Sequence, residues 1–122
     1  MSRILVVDDE EQVCYLLREL LNQFGHEVTT ETSGTSAIAS LDDFQPDLVL
    51  ADMLMPEMNG LEVLEKVKSW NPDTPVVILT GVDDEKIGQA AIDAGASDYI
   101  TKPFTIAQLK TVLQIYLLMH EG

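Results

Sequence analysis

Three carboxylates and one lysine stand where this chain can do chemistry. Asp52 opens the segment Asp-Met-Leu-Met-Pro-Glu-Met-Asn-Gly (52–60) directly after the apolar run Leu48-Val49-Leu50, and Asp8-Asp9 directly follows Ile4-Leu5-Val6-Val7. Lys102 comes just after a third such run. Carboxylates brought together repel one another, and the usual remedies are a shared proton or a bound cation. The set suits magnesium and phosphate. An Asp carboxylate is also a nucleophile toward phosphoryl groups, giving an aspartyl phosphate.

The elements that must position these residues follow from the patterning. Short β-branched or leucine runs alternate with helical periodicity, and turn residues sit between them. Strands are expected near 3–7, 27–31, 47–51, 75–80 and 97–100. In the first helix Val13, Leu16, Leu17, Leu20, Leu21 and Phe24 keep the 3.6-residue period, and Gly25 is placed to stop it. Further helices near 34–43, 60–70, 84–94 and 105–119 complete a (βα)5 alternation, with Pro72 and Pro75 marking the loop before the fourth strand. The first, third and fourth strands are apolar throughout, as expected of parallel strands covered on both faces. The fold class is therefore α/β with a doubly wound parallel sheet. In such sheets ligands bind beyond the carboxyl ends of the strands, where strand order reverses. Asp8, Asp9, Asp52, Thr80 and Lys102 all fall at that edge.

Composition narrows the function classes. The 122 residues suit one domain, 1–122, and 46% apolar content argues for a packed core rather than disorder. The formal charge of −14 should repel nucleic acid and anionic membrane, so direct binding of either is not expected. No signal peptide or membrane-length apolar run is present, and the single Cys14 cannot form an internal disulfide; the reading is cytoplasmic, with Cys14 an inert packed thiol. His26 and His120 are single and read as solvated.

Four segments together resemble the response-regulator receiver domain of bacterial two-component signalling, over essentially the whole chain. They are Val6-Val7-Asp8-Asp9-Glu10, Asp52-x-x-Met55-Pro56-x-x-x-Gly60, Leu79-Thr80-Gly81 and Gly95-Ala96-x-Asp98-Tyr99-x-x-Lys102-Pro103. The resemblance implies a flavodoxin-like five-stranded sheet of order 2-1-3-4-5, and Asp52 as acceptor of a phosphoryl group from a sensor histidine kinase or phosphotransfer protein. It further implies Mg2+ held by Asp9, Asp52 and the Leu54 carbonyl, with Asp8 acting mostly through water. Lys102, the Thr80 hydroxyl and the Gly81 N–H would meet phosphoryl oxygens, and Pro103 would form a cis turn aiming the lysine inward. Thr80 and Tyr99 would be the switch pair.

The same resemblance places output on the face made by the fourth helix, fifth strand and fifth helix, where an effector domain, an output protein or a phosphorylation-dependent homodimer would dock. The fourth helix has a thin apolar face of Ile87, Ala91 and Ala94, with Gly88 read either as a loosening residue or as room for close packing. Leu54 and Val82, two past Asp52 and Thr80, should hinder an attacking water and favour a long-lived phosphoryl group. Kinase choice is expected on the outward face of the first helix, at Glu11, Gln12, Tyr15, Arg18 and Glu19. The last helix turns Leu109, Val112, Leu113, Tyr116 and Leu117 inward and leaves Ile115, Leu118 and Met119 off that face. Those three suit a dimer contact or an output segment continuing past Gly122; the sequence fits a single-domain regulator or part of a longer one.

Two other classes share parts of the pattern. A flavodoxin-type electron carrier would need a Ser/Thr/Gly phosphate cradle where this chain has Asp8-Asp9-Glu10-Glu11. An aspartyl-phosphate phosphohydrolase would carry a second Asp two residues after its nucleophile, where Leu54 stands, and a cap domain for which there is no room.

Overall fold

The computed structural model describes residues 1–81 and 85–121, with only the helical backbone for 118–121. Five strands, β1 (Arg3–Val7), β2 (Glu27–Glu31), β3 (Leu48–Asp52), β4 (Val76–Thr80) and β5 (Asp98–Thr101), alternate with five helices. The helices are α1 (Glu11–Gln23), α2 (Gly34–Phe44), α3 (Gly60–Trp70), α4 (Glu85–Asp93) and α5 (Ile106–Glu121). All strand pairs are parallel, in the order β2-β1-β3-β4-β5.

Side-chain alternation divides the core in two. Leu5, Val7, Val49, Ala51, Val76 and Ile78 face α2, α3 and α4, meeting Ala37, Leu41, Val63, Leu64, Val67 and Ala91. Ile4, Val6, Leu48, Leu50, Val77 and Leu79 face α1 and α5, meeting Leu17, Leu21, Leu109 and Leu113. Both faces are dry, which is why three strands read as unbroken apolar runs. Each fully buried Leu or Ile contributes roughly 1.5–3 kcal/mol by leaving water. Trp70, at the far end of α3, ties that helix to α2 through an Nε1–H donated to Asp42 at 2.9 Å.

Local chemistry sets the helix ends. Phe24 caps α1 and Gly25 follows at φ 92°; the N–H groups of Gly25 and His26 return to the carbonyls of Asn22 and Leu21. Gly95, at φ 109°, ends α4 in the same way. This double hydrogen bond is the Schellman stop, and it needs a residue free to adopt positive φ. Asn59 and Glu62 cap each other's backbone N–H at the start of α3.

Three expectations are corrected. Leu16 is 53% exposed and lies outside the α1 stripe, whose buried members are Cys14, Leu17 and Leu21. A residue one step from Leu17 is turned about 100° around the helix, so a wide apolar stripe cannot bury both fully. Ala94 is exposed just past the end of α4, because the chain has already left the helix there; Gly88 and Ala91 are buried instead. His26 is half-buried, and its Nδ1 accepts the Ser2 backbone N–H at 3.3 Å. Val82 and Asp84 lie outside the described residues, as do the side chains of Leu118, Met119 and His120.

Gly88 is a packing residue. A Cβ there would sit 2.5–2.6 Å from atoms of the Tyr99 ring, so α4 rests on the ring through its glycine. Alanine would gain about 1 kcal/mol of helix propensity and lose about 1–3 kcal/mol by overpacking. We expect Gly88→Ala to destabilise the chain, but to stabilise it when Tyr99 is also alanine. Urea unfolding in both backgrounds checks this; stabilisation with Tyr99 intact would show that the ring does not hold this position.

Candidate functional site

Asp8 leaves β1 and Asp52 ends β3, so the two carboxylates stand on neighbouring strands at the crevice where the strand order turns back. Asp8 is fully buried and Asp52 is 7% exposed, while Asp9 and Glu10 are open to solvent. Lys102, just beyond β5, reaches across to them. Its Nζ lies 2.7 Å from Asp8 Oδ2, 3.3 Å from Asp52 Oδ1 and 3.8 Å from Glu10 Oε1. Three sequence-distant segments thus meet around one ammonium.

The backbone holds these groups in place. Lys102 N–H donates to the Thr80 carbonyl at 2.7 Å, and the Lys102-Pro103 bond is cis. Asp8 Oδ1 accepts the Glu10 N–H at 2.9 Å, leaving Oδ2 for the lysine. Met53 N–H donates to Leu79 O of β4 and Gly60 N–H to Met53 O, both at 2.9 Å, so the residue after Asp52 is held to the neighbouring strand and the start of α3 is held to it. Glycine is required at 60: a Cβ would stand 2.7 Å from the Asp52 carbonyl oxygen. Cys14, buried beneath, donates to Asp8 O at 3.2 Å, and burial followed by the Asp8 charge raises its thiol pKa. It is an inert thiol, as expected.

Electrostatics make Asp52 unusual. Burial first, then the Asp8 charge, pushes its carboxyl up to about 6, against the pull of Lys102. Burial disfavours the Lys102 ammonium, but the Asp8 hydrogen bond and the Asp52 charge outweigh it, so its pKa is raised. The site therefore keeps its cation firmly and lets its central carboxyl take up a proton only at pH about 6 and below.

Thr80 is 1% exposed, and its Oγ1 has no hydrogen-bond partner. A buried hydroxyl left unsatisfied costs about 1–3 kcal/mol, and Thr74 Oγ1 is in the same position at the other end of the strand. Gly81 follows it, exposed, with open space where a Cβ would be. Tyr99 is half-buried against Gly88 and lines an open groove of about 350 Å3 with Ala107, Gln108 and Thr111 of α5. Leu54 is 66% exposed. Carboxylate oxygens of Asp8, Asp9 and Glu10 lie within 4.8 Å of one another, a grouping able to hold a metal ion. Glu10 went unassigned in the sequence reading. Its one mark in the residues is its place directly after the Asp pair.

The architecture and this carboxylate–lysine centre define a response-regulator receiver, and the chain belongs to that family: residues 4–114 match the response regulator receiver domain. Among its relatives, the probable transcriptional regulatory protein TcrX of Mycobacterium tuberculosis is 40% identical over 93% of this chain and 49% of its own length. The transcriptional regulatory protein KdpE of the same species is 38% identical over 85% of this chain and 46% of its own. The chain spans about half the length of these curated relatives. A crystal structure of a receiver domain protein from Clostridium thermocellum superposes with a TM-score of 0.93 at 31% identity, covering 99% of this chain and 98% of that one. Among the described residues no helix is long and apolar enough to cross a membrane.

The raised pKa of Asp52 has a consequence for stability. The folded chain binds this proton more tightly than an unfolded Asp with its ordinary value of 3.8, so folding is penalised above that pH and fully so above about 6. Acidification through 6 removes the penalty. Asp52→Asn, which deletes the charge, is expected to be more stable than the parent at pH 7 by about 1–3 kcal/mol, with the difference fading near pH 4. Urea unfolding in metal-free buffer at both pH values checks it. An equal difference at the two would show that Asp52 is not proton-linked to folding.

Proposed function

We propose that Asp52 is the phosphoacceptor of this receiver and that residues 1–122 act as one domain, in the cytoplasm, within a two-component regulator. The observation that carries the reading is a carboxylate and an ammonium already 3.3 Å apart, with the unpartnered, buried Thr80 hydroxyl at the end of the strand that lies between theirs. An Asp52 oxygen would attack the phosphorus of a phosphohistidine on a sensor kinase or phosphotransfer protein. The P–O bond forms as the P–N bond breaks, and the electron pair leaves on the imidazole. With its carboxyl near 6, Asp52 is mostly ionised at neutral pH, and little solvation must be stripped from it.

Lys102 would shift from its two aspartates to a phosphoryl oxygen, as a point charge on a flexible stem can. Thr80 would give its hydroxyl to a second oxygen, and Gly81 its backbone N–H. The oxygen-only donors here are of the kind magnesium accepts: Asp9, Asp52 and the Leu54 carbonyl would hold it, with Asp8 through water. When bound, the ion supplies charge neutralisation for the phosphoryl oxygens. Two rivals lose ground on the same geometry. A carboxylate-rich turn after β1 repels a flavin phosphate, and exposed apolar Leu54 offers no acid or base for a phosphohydrolase.

Switching would pass from Thr80 to Tyr99, whose ring bears directly on α4 through Gly88. The α4–β5–α5 face, with its groove beside Tyr99 and exposed Ile106 and Ile115, would then meet an effector domain, an output protein or a second phosphorylated copy. A phosphoryl group biases such a face only through contacts present in one of its arrangements. The outward side of α1, where Tyr15, Leu16 and Arg18 are exposed, would meet the kinase.

With magnesium and acetyl phosphate, the chain is expected to gain one base-labile phosphoryl group, seen by intact mass, and Asp52→Asn to gain none. Equal modification of that variant would end the assignment. Thr80→Ala and Lys102→Ala should accept at least some phosphoryl group yet lose the NMR shifts at residues 85–99 that accompany it in the parent. Unchanged shifts in both variants would remove Thr80 and Lys102 from the switch.

A further inference from the structure

Glu10 occupies the residue that starts α1, where a Ser, Asp or Asn side chain would normally cap the helix by accepting a backbone N–H. Its side chain makes no such bond. The carboxylate instead turns to the site: Oε1 lies 3.8 Å from Lys102 Nζ, and a carboxylate oxygen lies within 4.8 Å of those of Asp8 and Asp9. Meanwhile its backbone N–H fixes Asp8 Oδ1 at 2.9 Å, so that the same residue orients one carboxylate and contributes another.

We infer that Glu10 is a positioning residue of the cation site, adding a further carboxylate that strengthens divalent-cation binding beside Asp9 and Asp52. The inference rests on the receiver reading above. Magnesium retains several of its waters, so a carboxylate a few ångströms beyond the direct ligands can accept hydrogen bonds from that hydration shell. Glu10 also attracts the ion through space. Its side chain is 66% exposed, so salt must screen this attraction, unlike a contribution made by the buried Asp8. A second effect has the same direction: Glu10 shares the Lys102 ammonium, drawing some of that positive charge away from the position a cation would take.

The test is magnesium binding alone, by calorimetry or amide NMR shifts, on the full chain and on Glu10→Gln, Glu10→Asp and Asp9→Ala. Glutamine keeps the length and every backbone hydrogen bond, so a role confined to the start of α1 would lower the melting temperature without a salt-dependent change in magnesium affinity. We expect Glu10→Gln to weaken the magnesium Kd about 3- to 10-fold at low ionic strength, narrowing to below about 2-fold in 0.5 M NaCl. Glu10→Asp should recover most of the loss. The magnesium concentration giving half-maximal phosphorylation by acetyl phosphate should rise by the same factor as Kd. A parent and Glu10→Gln of equal affinity at low salt would overturn this inference and leave the receiver reading intact, provided Asp9→Ala binds more weakly than both. A parent that binds no magnesium would overturn both together.

Discussion

One ammonium holds the carboxyl edge of the sheet together. Asp8 and Asp52 are buried on adjacent strands, where burial weakens the shielding of one from the other; without Lys102 between them, ionising both would cost several kcal/mol. The lysine has to arrive from β5, two strands away from Asp52, so the site closes only if β1, β3, β4 and β5 find their order. Chemistry and topology are therefore a single problem in this chain. The carboxylate proposed to accept a phosphoryl group is also one of the two whose mutual repulsion the fold must overcome.

The parallel sheet makes that concentration possible. Strands running the same way deliver all their C-terminal ends to one edge, and the helices keep both faces dry, so polar groups at that edge meet low dielectric below and solvent above. Asp52 shows the result in a carboxyl raised to about 6, and Thr80 in a hydroxyl kept from any partner. Both are local costs at a functional site that the surrounding apolar strands sustain.

Much of this was legible in the residues. Short apolar or β-branched runs against helical periodicity gave every element to within a residue or two, and the polar residues at strand ends pointed to one edge. What failed had physical causes. Leu16 looked like core because periodicity alone cannot say which side of a wide stripe is covered; the answer depends on where β1 and β2 lie under α1. Gly88 carried two meanings that only the position of the Tyr99 ring could separate, since a glycine reports that space is needed and not what fills it. The direction of the Glu10 side chain was likewise invisible, because it depends on a lysine ninety-two residues further on.

Trp70 is the single tryptophan, and its indole is bonded to Asp42 where α2 and α3 run down to the amino-terminal edge of the sheet. That is the end of the molecule opposite the carboxylates. Indole emission from this chain thus reports the seam between two helices, at the pole opposite the one a cation or anion would reach. A spectroscopic view of the carboxylate end calls for a chromophore set into the loop after Asp52, where the Leu54 side chain already stands largely in solvent.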